Sequence, residues 1–358
     1  MSTTMQDTTA RAIWAGLDAA KDSFDAAVYL AVEPGQTIEP TDVPVRTFPR
    51  THRGVEQFVR WADSLVAHCD TQHGPFVIRV AMEATGTYSL ELAAWLVAVR
   101  PTLAPAIVNP ARVRAFGRSL GVRNKTDVTD ARTIARFGAE RKPRPYEPPS
   151  DQLRQLRALS RERDTVVSIL VAQRLHSSDP SPCAVVVSEQ KRLIRNLEQS
   201  IARLEAAMTD LIEQHPPLRR DVELLQTIPG VGRITAIVIL AELGDLRRFE
   251  RSRQLGAFAG MSPQRHESGS SVRRQTHLCK QGNRRVRSAL YMAAMAAIRS
   301  DNSLAQFYHH LVEQGKSNMA ALGAVMRKQI VLARAILISG QPYQHDFIPV
   351  HERSKTCE

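Results

Sequence analysis

The sequence has few aromatic residues, few cysteines and no long apolar run. Aromatic residues make up 5% of the 358 residues. The four cysteines lie far apart, with neither a CxxC pair nor the Cys/His spacing of a zinc site, so disulfides and structural zinc are not indicated. No stretch of about 18 apolar residues occurs, and the N-terminus does not have the basic start and apolar core of a signal peptide. We therefore expect a cytoplasmic protein that is neither secreted nor membrane-spanning.

Basic residues, in contrast, are abundant. The chain is long enough for about two domains, and 43% hydrophobic residues are enough to build a core in each. Lys and Arg number 48 against 36 Asp and Glu, which gives a net charge of +12. A strongly basic balance favours a polyanionic partner such as nucleic acid.

The positive charge is concentrated in two segments. Residues 1–110 carry 8 basic against 12 acidic residues, whereas residues 111–145 carry 10 against 3. Residues 264–299 hold 8 basic residues and one acid, Glu267. An acidic lobe beside basic strips suggests carboxylates for a metal next to a track for phosphates. The alternative is that Arg-rich helix faces are merely solvated.

The N-terminal part reads as alternating strands and helices. Three strands come first, followed by helix, strand, helix, strand and Arg-rich helical sequence, an order typical of a ribonuclease-H-like α/β fold. The predicted strands are Ala12–Leu17, Phe24–Ala31, Val45–Phe48, Phe76–Met82 and Ala106–Val108, and the predicted helices cover Val55–His68, Tyr88–Val99 and Pro110–Ala139.

A proline-rich segment, Lys142–Ser150, separates this part from a mainly helical remainder. Apolar residues from Ile194 to Leu211 recur at spacings of three and four, the pattern of a coiled-coil seam, and a helix from Asp151 to Leu175 is its expected antiparallel partner. We interpret this pair as a spacer or dimerisation element. The predicted segments are an α/β domain at 1–145, coiled-coil helices at 151–218, a mainly α domain at 219–340 and a mobile tail without a role at 341–358.

A glycine-rich bend, Ile228–Gly232, joins two apolar helical segments and resembles a helix-hairpin-helix motif. Backbone N–H groups at Gly230 and Gly232 could hold a phosphate at the start of the second helix. The alternative is a plain packing joint between two helices.

Four carboxylates stand at positions suited to a metal site. Asp18 and Glu83 end predicted strands, and Asp127 and Asp130 are three residues apart, on one face of a helix. Carboxylates that converge on one point need a cation, and oxygen-only ligands favour Mg²⁺ or Mn²⁺. Asp22 and Asp25, in contrast, are expected to be solvated.

Several segments resemble the insertion-sequence 110 family of transposases and the related Piv-type DNA invertases. In the N-terminal half they are GLDAAKDSFDAAVY, VAMEATGTY and VRNKTDVTDARTIARF, and in the C-terminal half TIPGVGRITAIVILAELGD, LGAFAGMSPQRHESGSSVR and KQGNRRVRSALYMAA. The resemblance extends from Ala12 to Ser339. It implies a RuvC-like domain whose Asp-Glu-Asp-Asp tetrad falls on Asp18, Glu83, Asp127 and Asp130.

The resemblance also implies a nucleophilic serine in the Ser-Gly dipeptide, which falls on Ser268. Ser268 is expected in a Gly-containing loop, and the alternatives are Ser270 and Ser271 in the same loop or a loop that only contacts the DNA backbone. A base must remove the hydroxyl proton, and the options are His266, His277 or the metal site of the first domain, if the two domains meet.

Basic residues and glycines near these motifs are the predicted nucleic-acid contacts. Asn283 reads as the N-cap of a helix with an Arg-rich first turn, and cations there suggest an anionic ligand because they oppose the helix dipole. The predicted contacts are Arg123, Lys125, Gly230, Gly232, Arg265, Arg273, Arg274, Lys280, Arg284 and Arg285.

The predicted function is that of a DNA transposase or site-specific recombinase acting through a serine–DNA intermediate. The resemblance implies a structured bridge RNA that pairs with donor and target DNA, and a dimer that assembles into a tetramer. One alternative is a RuvC-like nuclease or junction resolvase in which water attacks. Another is a nucleic-acid-binding protein without catalytic activity.

Overall fold

The structure is a computed structural model that describes residues 11–30, 38–39, 42–73, 75–121, 127–178, 183–268, 272–279 and 282–344. Within these ranges, the side chains of residues 68–73, 127–128, 263–268 and 272–277 are outside the description. The chain divides into two units, residues 1–148 and 149–358.

The first unit is built on a five-stranded sheet in the order β3-β2-β1-β4-β5. The central strand β1 pairs antiparallel with β2 and parallel with β4, and β5 continues the parallel side. The prediction of an α/β unit with five strands is confirmed. The strands are β1 (Arg11–Ala19), β2 (Ser23–Tyr29), β3 (Val45–Pro49), β4 (Phe76–Glu83) and β5 (Ala106–Val108).

Helices cover both faces of this sheet. Because side chains alternate along a strand, Ile13, Ala15 and Leu17 of β1 join the core with α1 and α2. Trp14 and Gly16 point the other way, toward α3 and α4. The helices of this unit are α1 (His52–His73), α2 (Thr87–Val99), α3 (Pro110–Ser119) and α4 (Asp127–Arg141), with a 3₁₀ turn at Pro101–Leu103.

Residues 142–150 contain neither helix nor strand. Their four prolines explain this, because each removes a backbone donor. The segment is nevertheless held on the first unit, since the Tyr146 amide donates to the Pro105 carbonyl at 2.7 Å.

The second unit is mainly helical, as predicted. Two long helices, α5 and α6, pack against each other, and the following helices enclose α8, whose residues 236–243 are all buried. Side-chain caps fix several helix starts, for example Ser150 at α5 and Ser317 at α12. The helices are α5 (Asp151–His176), α6 (Ala184–Glu213), α7 (Pro216–Gln226), α8 (Arg233–Leu243), α9 (Ser252–Phe258), α10 (Arg284–Ala297), α11 (Ser303–Glu313) and α12 (Asn318–Ser339).

Two expectations for this unit are wrong. The segment around Ser268 is an antiparallel hairpin of β6 (Pro263–Ser268) and β7 (Val272–Leu278), not a loop. The predicted mobile tail also begins too early, because Tyr343 packs on the helical core and its amide donates to Thr227 Oγ1 at 2.8 Å. Residues 345–358 lie outside the described ranges.

Candidate active site

The predicted carboxylates Asp18 and Glu83 stand at the carboxyl ends of neighbouring parallel strands. Leu17 of β1 pairs with Met82 of β4, so the next position on each strand places Asp18 beside Glu83. Gly16 and Ala81, two residues earlier on each strand, lie on the face toward α4. Because side chains alternate with period two, Asp18 and Glu83 share that face.

Helix α4 runs antiparallel to β1 across this face. A Cβ on Gly138 would lie 2.6 Å from the Trp14 ring, and one on Gly16 would lie 2.2 Å from the Ala135 nitrogen and 2.3 Å from the Ala131 oxygen. Two residues along β1 therefore correspond to about five residues back along α4, in keeping with the rise of each element.

The same progression places Asp18 under the first turn of α4. Asp127 and Asp130 belong to that turn, so the backbone brings all four tetrad positions to one edge of the sheet. Asp130 is half-buried, while the side chain of Asp127 is outside the description. The sheet and helix registers thus unite residues that are 112 positions apart in sequence.

The donor chemistry of this edge fits a divalent cation. Carboxylate oxygens are the ligands that Mg²⁺ and Mn²⁺ prefer. Thr85 Oγ1, two residues beyond Glu83, is buried and finds no hydrogen-bond partner among the described residues. No three His, Cys, Asp or Glu residues with described side chains lie close enough to hold a metal. A metal site at this edge therefore requires either the side chain of Asp127 as an additional ligand or a rotation of the side chains of Asp18, Glu83 and Asp130.

Asp25 also belongs to this edge, contrary to the expectation that it is simply solvated. It is the register partner of Asp18 across the β1–β2 pair, and it is half-buried. The Thr47 hydroxyl donates to Asp25 Oδ1.

Ser268, the predicted nucleophile, is the last residue of β6. It pairs with Val272, and the three residues between them, which include Ser270 and Ser271, lie outside the description. The register places position 274 opposite His266, and position 273 opposite Glu267. Of the predicted basic neighbours, Arg265, Arg273 and Arg274 therefore lie in the hairpin strands, and Lys280 lies outside the described residues.

Close backbone contacts hold the base of this hairpin. The Cys279 amide donates to the Ser262 carbonyl at 2.8 Å. A Cβ on Gly282 would lie 2.2 Å from the Gly260 nitrogen, and Gly260 itself has a φ of +72°. Only glycine permits this approach and this backbone angle. The base of the hairpin is thus fixed where β7 leads into α10.

The start of α10 differs in one respect from the expectation of an Arg-rich phosphate site. Asn283 is the N-cap, as predicted, and accepts from the amides of Arg285 and Val286. Arg285, however, pairs with Asp164 of α5 at 2.7 Å. A carboxylate of the chain itself therefore balances the charge of this arginine. Arg284 remains exposed and has no ion pair within the described ranges.

Sequence reasoning missed Glu242, a buried carboxylate beside Asn283. Its side chain is 2% exposed and accepts from Arg161 at 2.7 and 2.9 Å and from Asn283 Nδ2 at 2.7 Å. Burial alone would raise the pKa of Glu242, but the hydrogen bonds from Arg161 and Asn283 lower it below its ordinary value. Glu242 therefore stays ionised at the N-terminus of α10, where a negative charge is favourable.

The glycine-rich bend lies between α7 and α8. Of its two glycines, Gly230 packs closely against another helix. Gly230 has a φ of +80°, and a Cβ there would lie 2.0 Å from the Ala293 oxygen of α10. Gly232 is exposed, and apart from its chain neighbours no described residue has an atom within 4 Å of its ideal Cβ position. At Arg233, the next residue, Nε and Nη2 are buried and make no hydrogen bond among the described residues, although Nη2 lies 3.6 Å from Glu213 Oε1. Arg123 and Lys125 lie outside the description.

Comparison with known proteins gives consistent matches along the chain. The sequence profile of DEDD transposases of the IS110 type, described as "Transposase", matches residues 15–178, and that of the "Transposase IS116/IS110/IS902 family" matches residues 222–309. None of the helices in the described part of the chain is long and apolar enough to cross a membrane.

Two curated relatives illustrate matches over most of a relative's length. The pilin gene-inverting protein of Moraxella bovis is 31% identical over 329 residues, which cover 92% of this chain and 96% of the relative. The transposase for insertion sequence element IS1111A of Coxiella burnetii is 25% identical over 269 residues, covering 66% of this chain and 72% of the relative. With both profiles matched in order and a relative aligned along nearly its whole length, this chain belongs to the IS110 family of insertion-sequence transposases.

Proposed function

We propose that this transposase cuts and rejoins DNA through a covalent bond between Ser268 and a DNA phosphate, assisted by a divalent metal at the Asp18, Glu83, Asp127 and Asp130 edge. The observation that supports it best is the convergence of the four acidic positions at the carboxyl ends of β1 and β4 under the first turn of α4. This arrangement is what a RuvC-like metal domain requires, and the family membership favours that fold.

In the proposed reaction Ser268 Oγ attacks a phosphodiester phosphorus. The Oγ–P bond forms, the bond from phosphorus to one sugar oxygen breaks, and that oxygen leaves as a hydroxyl after taking a proton. The hydroxyl proton of Ser268 passes to a base, for which His266 is the nearest histidine in sequence. Attack by a sugar hydroxyl of another DNA end reverses these steps, so the strand is rejoined without an external energy source.

The carboxylates would hold Mg²⁺ or Mn²⁺, which when bound neutralises charge on phosphate oxygens. The chain's own part is to hold these oxygens in register, because β1, β4 and α4 are fixed to one another by the close contacts at Gly16 and Gly138. The hairpin base at Gly260 and Gly282 likewise fixes the strand that ends in Ser268.

The proposed partners are donor DNA, target DNA and a structured bridge RNA, with the protein acting as a dimer that assembles into a tetramer. The basic segments at 111–145 and 264–299 fit a protein that contacts nucleic-acid backbones and leaves sequence choice to base pairing. Helices α5 and α6 offer exposed apolar side chains for dimerisation, among them Val171, Leu175 and Val185.

A recombination assay with the flanking noncoding DNA supplied tests this function. Wild type, Ser268→Ala and Asp130→Asn are compared for recombined product and for protein covalently attached to DNA. Loss of both product and adduct in Ser268→Ala supports the proposal. Ser270→Ala and Ser271→Ala serve as matched controls, and we expect each to keep the adduct.

Two outcomes overturn the proposal. Adduct-free cleavage that survives in Ser268→Ala but is lost in Asp130→Asn would make the protein a metal-dependent nuclease in which water attacks. DNA binding without cleavage in any variant would make it a binding protein.

Site-specific inversion is a second function that a specific observation favours. The relative from Moraxella bovis, matched along 96% of its length, is named for pilin gene inversion. Inversion and transposition share the same cutting and joining chemistry, so they differ only in the placement of the DNA sites. A plasmid that carries two sites in inverted orientation distinguishes them, since inversion flips the segment between the sites and leaves plasmid length unchanged.

A further inference from the structure

A groove of about 350 Å³ lies between α10 and α12, beside the last residue of β7. Leu322 and Met326 of α12 are buried beneath it, and Leu278 of β7 forms one side. Leu278 packs closely against α12 at Gly323, which has no Cβ. A Cβ there would lie only 3.2 Å from Leu278 Cδ1. The groove is therefore fixed by the same hairpin base that positions β6.

The upper walls of the groove are apolar side chains left in solvent. Tyr291 of α10 is 36% exposed and Met319 of α12 is 67% exposed. Exposed apolar surfaces grouped around a concavity are typical of binding sites. An aromatic ring beside a flexible thioether is well suited to a flat, polarisable ligand.

One end of the groove is cationic. Arg284 and Arg287 line it, together with Ser288, and no acidic side chain that the structure describes does so. Arg287 is oriented by its bond to the Gly282 carbonyl at 2.8 Å. Arg284 has no ion pair in the described part of the chain, in contrast to its neighbour Arg285. The groove thus complements a ligand with a flat apolar body and an anionic group, which is the chemistry of a nucleotide.

The distance from the groove to the proposed nucleophile, Ser268, allows one DNA strand to contact both. Leu278 pairs with Pro263 at the base of the hairpin, and Ser268 is the last residue of β6, at the opposite end of the hairpin. Five strand steps span about 17 Å, which is the length of about five nucleotides of a B-form strand. A DNA strand held at Ser268 therefore reaches the groove within a few nucleotides.

We propose that this groove binds an unpaired nucleotide of the DNA strand presented to Ser268, with the base against Tyr291 and Met319 and a phosphate on Arg284. The inference rests on the proposed function, because it assumes that DNA lies along the hairpin. Unpairing a base near the cleavage point would help strand exchange, since the exchanged strand must leave its original partner.

A fluorescence titration of the full chain tests this inference. The probe is a short single-stranded DNA that carries 2-aminopurine, whose emission falls when the base stacks. Tyr291→Ala and Met319→Ala are each expected to weaken binding about 5-fold or more, and Tyr291→Phe to keep it, because stacking needs the ring and not the hydroxyl. Arg284→Ala is expected to weaken binding and to lower the salt dependence by about one charge.

The matched control is Met292→Ala, which removes an equally exposed methionine, 64% exposed, that is next to Tyr291 but does not line the groove. We expect its affinity and thermal midpoint to equal those of wild type. Equal affinity in Tyr291→Ala, Met319→Ala and wild type would overturn the inference. So would a change in oligomeric mass without a change in DNA affinity in these variants, since the groove would then be a protein contact.

The binding assay does not require cleavage, so it separates this inference from the proposed function. A wild-type protein that forms no serine adduct but quenches 2-aminopurine through Tyr291 would refute only the nucleophile. A wild-type protein that forms the adduct, with binding indifferent to Tyr291 and Met319, would refute only the groove.

Discussion

Arg161 on α5 and Glu242 on α8 form a two-point ion pair, with Nε 2.7 Å from Oε1 and Nη2 2.9 Å from Oε2. The Glu242 side chain is almost fully buried, whereas half of the Arg161 side chain remains in solvent. Asn283, the N-cap of α10, also donates to the carboxylate, and Arg285 Nε lies 4.0 Å from Oε1. One buried carboxylate thus connects α5, α8 and the start of α10, which follows the β6–β7 hairpin.

Removal of Arg161 is expected to destabilise the second unit. In Arg161→Ala the buried carboxylate keeps the donor Asn283 and the more distant guanidinium of Arg285, 4.0 Å away, but loses both hydrogen bonds from Arg161. A buried acceptor that loses a donor costs about 1–3 kcal/mol, and more when the acceptor is charged. The measurement is the free energy of unfolding of the full chain in urea.

The control for this prediction is Arg154→Ala on the same helix. Arg154 pairs with Asp151, but both side chains are mostly exposed. Exposed pairs contribute less than about 1 kcal/mol, so this variant should stay close to wild type. Equal losses of unfolding free energy in Arg161→Ala and Arg154→Ala would show that burial of Glu242 does not strengthen its ion pair with Arg161.

The same carboxylate is expected to make stability depend on acid pH. Since the folded pKa of Glu242 lies below its ordinary value, its contribution is fully present above the unfolded pKa of about 4.3 and is lost as pH falls through the folded pKa. Glu242→Gln cannot lose a charge in that range. We therefore expect urea midpoints of wild type to fall more steeply below pH 4.3 than those of Glu242→Gln, and parallel curves would contradict the assignment.

The strands and the strand-end carboxylates could be predicted from sequence because their signals are local. The alternation along β1 and β4 is visible in a few residues, and Asp18 and Glu83 follow directly from where each run stops. Asp25 could not be recognised in the same way, because its place opposite Asp18 depends on the pairing of two strands.

Other features carry no local signal. Glu242 is one acid within the apolar helix α8, and only the tertiary fold supplies Arg161 and Asn283 from distant positions. The strands β6 and β7, PQRHES and VRRQTHL, are too polar to show a strand pattern. They pair because the contact between Gly260 and Gly282 brings their ends together.

Gly16→Ala is expected to disturb the acidic edge without touching a carboxylate. The added methyl would lie 2.2 Å from the Ala135 nitrogen, so α4 must move away from β1 and carry Asp127 and Asp130 with it. Overpacking of this kind costs about 1–3 kcal/mol. We expect lower stability and at least a tenfold loss of recombination activity, measured at a temperature where the variant remains folded.

Gly256→Ala is the matched control for Gly16→Ala. This glycine lies inside α9, and outside the helix's own neighbouring backbone no described residue has a heavy atom within 4 Å of its ideal Cβ position. Alanine in an open helical position is neutral or stabilises by up to about 1 kcal/mol. Full activity in Gly16→Ala would mean that the registry of α4 on β1 does not set the geometry of the carboxylates.

The two glycines of the bend between α7 and α8 are expected to respond differently to alanine. Gly230→Ala combines a φ of +80° with a Cβ position 2.0 Å from the Ala293 oxygen, and we expect a loss of about 2 kcal/mol or more. Gly232 has a φ of −82° and open space around it, so Gly232→Ala should change the unfolding free energy by less than about 0.5 kcal/mol.

Only Gly232→Ala therefore tests whether this bend holds a phosphate. A methyl group there would add bulk at the N-cap of α8, beside the backbone amides that open the helix, so a phosphate bound to those amides would be displaced and affinity should fall several-fold with little change in stability. The measurement is the affinity for duplex DNA at two salt concentrations. If affinity is unchanged, the bend is a packing joint, and the close approach of Gly230 to Ala293 is sufficient reason for its glycine.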